Sequence, residues 1–261
     1  MSGFSADWLA LRAPFDAAAR DGELTRLFLA TLRDEALVAD LGAGTGSNAA
    51  FLRGHAPRQR WRLVESDPEL LRAARTRFAD DPRVDIAAAD LAQALGPALD
   101  GAQAVSCSAL LDLASATWID RLADEVAQRR MPALLVLSYD GRMRWDPVDP
   151  DDVRICDAFH RDMVRDKGFG PALGPDAVSY AHRAFQRAGA RVDRAATDWQ
   201  IPRGAAAMLA AMVDGYAGAA ASDAMLRAEH VGPWRARRIE QIARRALSLA
   251  IGHQDLLVRW A

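Results

Sequence analysis

The sequence predicts an α/β chain built around one mostly parallel sheet, and three observations carry that expectation. Short apolar runs of strand length alternate with segments whose apolar residues recur at helical spacing. One run, Val38-Ala39-Asp40-Leu41, passes through Gly42-Ala43-Gly44-Thr45-Gly46 directly into a helix-forming segment. Carboxylates, Glu65 and Asp90, stand at the ends of the next two runs.

Residues 1–35 read as helices that precede the sheet and cap it. Trp8, Leu9, Leu11 and Phe15 make one apolar stripe; Leu24, Leu27, Phe28 and Leu32 make a second. Residues 36–138 form the core, with strands expected to end near Leu41, Glu65, Ala88, Ser106 and Leu137. Helices are expected to start near Ser47, Pro68, Thr117 and Pro175; Asp67-Pro68 has the acid and proline that suit a first turn. Residues 190–197 read as a sixth strand and Leu256–Trp260 as the final one. Two stretches exceed a minimal sheet. Residues 142–174 follow the fifth strand, and residues 201–253 are helical by composition. Open α/β sheets bind ligands beyond the carboxyl ends of their strands, so 142–174 is expected to be a lid or substrate wall. The whole chain, 1–261, is read as a single domain.

Composition narrows the function. A chain of 261 residues that is 51% hydrophobic can bury a sizeable core. With 33 basic and 35 acidic residues, its charge balance calls for neither nucleic acid nor an anionic membrane. Arg235, Arg237, Arg238, Arg244 and Arg245 lie opposite a stripe of Ile239, Ile242, Ala246 and Leu249, which reads as a solvated helix face. Cys107 and Cys156 form no Cys-x-x-Cys pair, which argues against a disulfide framework or zinc site and fits a reducing, cytoplasmic setting. The first residues lack the basic-then-apolar layout of a signal segment. Gly204–Ala221 is alanine-rich and broken by Asp214-Gly215, so a packed helix is expected there rather than a membrane span. No metal site is expected.

The glycine turn points to a nucleotide-containing cofactor. Glycines between a strand and a helix let the backbone approach a ligand closely, beside the unpaired N–H groups of the helix start. A dinucleotide site wants Gly-x-Gly-x-x-Gly/Ala, but here the sixth position is Ser47 and the third glycine comes early, at Gly46. The pattern Asp-x-Gly-x-Gly-x-Gly at Asp40, Gly42, Gly44 and Gly46 instead resembles motif I of the class I S-adenosylmethionine-dependent methyltransferases. Glu65 ends the next strand about 20 residues on, where a ribose-binding acid stands.

That resemblance implies a three-layer α/β/α Rossmann-like sheet of about seven strands, the last antiparallel, with N-terminal helices and helical insertions. It implies S-adenosyl-L-methionine as cofactor, held by Asp40, Gly42, Ala43, Gly44, Gly46, Glu65, Ser66 and Ser106, with Asp90 and the Leu91 amide on the adenine. Arg12, on a helix that related proteins fold over the cofactor, is the expected partner of the methionine carboxylate. The stretch Arg161–Gly174 resembles a bacterial subgroup of the family, without naming a substrate.

Methyl transfer from a sulfonium is an in-line displacement, and a base is needed only for an acceptor that arrives protonated. Asp112, Tyr139 and His160 are the candidate catalytic residues; Ser108, Asp166 and Lys167, the only lysine in the chain, are candidates for the acceptor. The acceptor is expected to be a small molecule, its reacting atom left open. Two other readings stay open on sequence alone: a protein of this fold that binds the cofactor or its demethylated product without turnover, and a nicotinamide-dependent oxidoreductase, disfavoured by the glycine spacing.

Overall fold

The computed structural model describes residues 4–226 and 228–260. Two helices open the chain, α1 (Ala6–Ala19) and α2 (Gly22–Ala30), the second capped by the Asp21 carboxylate on the Leu24 amide at 2.7 Å. Then strand and helix alternate: β1 (Leu37–Leu41), α3 (Ser47–His55), β2 (Arg60–Glu65), α4 (Pro68–Arg77), β3 (Val84–Ala88), the single turn α5 (Leu95–Ala98), β4 (Ala104–Ser108), α6 (Ala116–Gln128) and β5 (Ala133–Asp146). After these come α7 (Asp152–Met163), α8 (Ala177–Arg187), β6 (Arg191–Ala196), β7 (Trp199–Ile201), α9 (Ala206–Ala221), α10 (Ala228–Ala243) and β8 (Ser248–Arg259).

The strands join one sheet in the order β3-β2-β1-β4-β5-β8-β6, with β7 also paired to β8. The first five run parallel, and β8 is antiparallel to β5, β6 and β7. This is the mostly parallel sheet expected, with an eighth, three-residue strand added. Val38, Val64, Val105 and Leu135 are buried because the sheet is covered on both faces. One core cluster packs α6 and α8 against one face, and another packs α2 and α3 against the other.

A third cluster lies past the strand ends and corrects two expected boundaries. β5 runs on through Asp146, and β8 begins at Ser248, because Met143–Asp146 pair with Ser248–Ile251 as an antiparallel ribbon. The segment expected to leave the sheet at 142 therefore leaves after 146, and the helical stretch expected to reach 253 ends with α10 at 243. Trp145, Trp199, Tyr216 and Trp234 fill this cluster, and Trp8, Leu11 and Phe15 of α1 pack on it. Arg238 is fully buried inside it, between the rings of Trp145 and Trp234 at 5.1 and 5.9 Å. Its guanidinium donates to the Pro147 carbonyl, Gln241 and the Asp152 carboxylate.

One buried side chain ties distant parts of the chain together. The Asp255 carboxylate on β8 accepts from the Leu137 amide (2.8 Å), the Thr197 hydroxyl (2.9 Å) and the Asp21 amide (3.2 Å). Leu137 has a left-handed backbone, φ 56°, and the Asp255 contact fixes the bulge it makes in β5.

Candidate active site

The turn after β1 is shaped by its glycines. Gly42, Gly44 and Gly46 all have positive φ, at 61°, 56° and 78°. A Cβ on Gly42 would lie 3.0 Å from Leu110, and one on Gly44 would lie 2.9 Å from Leu9 of α1. α3 starts at Ser47, after a Gly46 cap that offers no side chain, and the Ala49 amide in its first turn is taken by the buried Asp40.

A cavity of about 670 Å³ opens above this turn, roofed by α1. Gly42, Ala43, Gly44, Thr45 and Asn48 form its floor, and Glu65, Ser66, Asp90, Leu91 and Ser108 line its sides. Arg12, Asp16 and Arg20 project into it from the roof, one helical turn apart. Glu65 is held in place by three amides: Gly44 at 2.8 Å, Ser66 at 2.7 Å and Asp67 at 3.0 Å. Asp90 shapes its own turn by accepting from the Ala92 amide at 2.9 Å, and remains exposed on the cavity rim.

Three residues of the expected cofactor set stand behind the wall. Asp40 is fully buried and does not line the cavity; it accepts from Asn48 Nδ2 and, at 2.7 Å, from the Ser106 hydroxyl. Burial pushes its carboxyl up to about 6, against the opposing pull of those two hydrogen bonds and of Arg20. Asp40 and Ser106 therefore brace the first turn of α3 instead of facing the ligand. A Cβ on Gly46 would meet Phe78 at 2.5 Å, so this glycine is required by packing.

Arg12 lines the cavity as expected, but its guanidinium is already engaged. It donates to both Asp16 oxygens at 3.0 and 3.1 Å and lies over the Trp199 ring at 4.9 Å. Arg20, which the sequence reading passed over, is the contrasting case. Its Nε and Nη1 are buried without a hydrogen-bond partner, and burial lowers its pKa. Asn48 offers the complementary orphan, since its Oδ1 is buried and unpartnered. The signal for Arg20 was present in the 12–16–20 spacing, which puts it on the face of Arg12.

The candidate catalytic residues separate. Tyr139 and His160 do not line the cavity. The β5 bulge carries Tyr139 into the third cluster, where its hydroxyl meets His160 Nε2 at 2.8 Å and its ring meets Phe159. Burial raises the Tyr139 phenol far above its usual range and lowers His160. Asp112 lies closer, on the turn Leu111–Leu113 between the wall residues Leu110 and Leu113. Its Oδ1 is buried without a partner, and burial pushes the carboxyl up to about 6, opposed by the nearby Arg12. A raised carboxyl costs stability once ionised, with the loss growing as pH rises from about 4 to 6. Asp112→Asn is therefore expected to gain on the order of 1–3 kcal/mol over the unmodified chain at pH 8 and almost nothing at pH 4. Thermal melts at both values test this, and destabilisation at pH 8 refutes it.

Of the acceptor candidates, Ser108 and Lys167 line the cavity and Asp166 does not. The Lys167 ammonium is bound to Asp162 at 2.8 Å, and Asp166 accepts from the Gly168 and Gly170 amides, shaping its own loop. Among the described residues there is no cluster of three metal-ligating side chains and no helix long and apolar enough to cross a membrane.

Comparison with known proteins agrees with this geometry. A family model described as a methyltransferase domain matches residues 38–132, which run from β1 through the glycine turn, Glu65 and Asp90 to the start of β5. The fold resembles the cyclopropane synthase MmaA2 of Mycobacterium tuberculosis, with TM-score 0.54 and 12% identity over 98% of this chain and 95% of that one. It also resembles the YcgJ protein of Bacillus subtilis, with TM-score 0.52 and 14% identity over 92% and 100%. An O-methyltransferase family protein of Burkholderia thailandensis matches with TM-score 0.50 and 19% identity over 72% of this chain and 54% of its own length. No curated protein matches the sequence. With the glycine turn, the strand-end acids and the matched stretch in register, residues 38–132 resemble a methyltransferase domain, the kind of domain whose cofactor is S-adenosylmethionine.

Proposed function

We propose that this protein transfers a methyl group from S-adenosylmethionine to a small-molecule acceptor by in-line displacement. The supporting observation is that the glycine turn, the Glu65 carboxylate held by three amides, and Asp90 all line one cavity, with Arg20 and Asn48 also among its lining residues. Glu65 would hold the ribose hydroxyls, Asp90 and Leu91 the base, and Arg20 rather than Arg12 the carboxylate. The cofactor supplies an electrophilic methyl on a cationic sulfur. The chain's own part is positioning and exclusion of water: α1 roofs the cavity with Leu9, Arg12 and Asp16, and Ser108 faces into it beside the Asp112 turn. Asp112, behind the wall residues Leu110 and Leu113 and ionised above about pH 6, would take a proton from an acceptor that brings one only if its turn opens toward the cavity.

Saturating S-adenosylhomocysteine is expected to raise the melting temperature, because it binds the native state; no shift sinks the reading. Glu65→Ala is expected to weaken its binding by about 1–3 kcal/mol in calorimetry, through loss of a charged acceptor for two hydroxyls. Unchanged affinity would remove Glu65 from the site. Release of S-adenosylhomocysteine from S-adenosylmethionine across a panel of small metabolites separates turnover from binding alone.

A further inference from the structure

The loop Asp166–Pro171 was expected over the methyl acceptor, yet its contacts lie elsewhere. Phe169 stands edge-on to Trp118 at 5.2 Å, and the Trp118 indole donates to the Leu91 carbonyl at 2.8 Å. Leu173 continues the attachment, its amide donating to Ala114 at 2.9 Å. Phe169 thus packs with the α6 and α8 cluster, whereas Phe51, which lies under Arg20 at 4.5 Å, packs on the opposite face of the sheet. The loop and Arg20 flank the glycine turn from opposite sides.

We propose that Lys167-Gly168-Phe169 closes the site of the cofactor's purine base, with Phe169 as the residue that selects it; the assignment rests on the cofactor reading above. Phe169, Leu91, Leu110 and Leu113 all line the cavity, with Phe169 packed against the apolar cluster that holds Leu91 and Leu110, and the exposed Asp90 next to Leu91 lines it too; together they offer an apolar slot with an acid beside it. Such a slot suits a flat heteroaromatic ring that carries an exocyclic N–H donor. Lys167 also lines the cavity, and its ammonium is tied to Asp162 within the same insertion, which steadies the loop that carries Phe169.

Two ligands and two variants test the assignment by calorimetry. 5′-Methylthioadenosine carries base and ribose without the amino-acid end that S-adenosylhomocysteine adds. Phe169→Ala is expected to weaken both ligands by a similar factor, about ten-fold. Arg20→Met is expected to weaken S-adenosylhomocysteine alone. In the unmodified chain, 5′-methylthioadenosine is expected to slow amide exchange over residues 166–172, a readout that does not depend on any variant folding. Undiminished 5′-methylthioadenosine affinity in folded Phe169→Ala, or exchange over 166–172 untouched by that ligand, overturns the assignment and leaves the cofactor reading intact. If neither ligand binds the unmodified chain, the cofactor reading falls and takes this assignment with it.

Discussion

Gly44→Val is expected to abolish measurable S-adenosylhomocysteine binding, a loss of at least about a hundred-fold. Two effects combine. At φ 56° a β-branched side chain is strained in the left-handed region, by roughly 1–2 kcal/mol or more, so the turn shifts. Its first carbon would also point at Leu9 across the cavity, only 2.9 Å away, and its methyl groups would occupy the space between floor and roof. Leu9 is the end of a flexible side chain and can yield; the backbone angle cannot. Because the Gly44 amide also steadies Glu65 at 2.8 Å, a displaced turn disturbs that carboxylate as well. Calorimetry on the folded variant decides it, and near-normal affinity would mean that the cofactor lies away from this turn.

Arg238→Ala is expected to cost about 3–5 kcal/mol of stability, the range for breaking a buried ion pair by removing one partner. The substitution opens a space between Trp145 and Trp234 and leaves the Pro147 carbonyl and Asp152 without their guanidinium donor. Trp234 Nε1 still donates to Asp152 at 2.9 Å, which compensates only in part. Arg238→Lys is not expected to rescue it, since a compact ammonium lacks the flat guanidinium face that lies over both indoles while its separate nitrogens reach Pro147, Gln241 and Asp152. Denaturant titration measures the change; a loss below about 1 kcal/mol would show that the pair contributes little.

The parts of this molecule that were legible in the sequence are those encoded by near neighbours. The run into Gly42, Gly44 and Gly46 specifies a strand, a turn and a helix start within ten residues, and Glu65 and Asp90 follow from the same strand-by-strand rhythm. What the sequence concealed depends on partners far along the chain. Phe169 reads as a loop residue until Trp118 is beside it. Tyr139 reads as a strand-end residue facing the ligand until Asp255 fixes the bulge that turns it away. The fifth strand reads as ending near Leu137, whereas the ribbon with β8 keeps β5 going past it. Arg20 drew no expectation at all, because nothing local places the end of α1 against the sheet ends.

Asp255 also has a meaning for the order in which the molecule can be completed on the ribosome. The amide that starts the α2 cap, at Asp21, is bound by a carboxylate made 234 residues later. β8, which carries that carboxylate, also supplies the partner for β5, β6 and β7. The glycine turn and both strand-end acids emerge within the first hundred residues and the Trp199 partner of α1 follows, but the tie at Asp21, between α1 and α2, waits for the last strand. Contacts of such long range form late. A nascent chain halted before Ser248 would hold the glycine turn and the residues that pack on α1, while β5, β6 and β7 would still lack the strand they share.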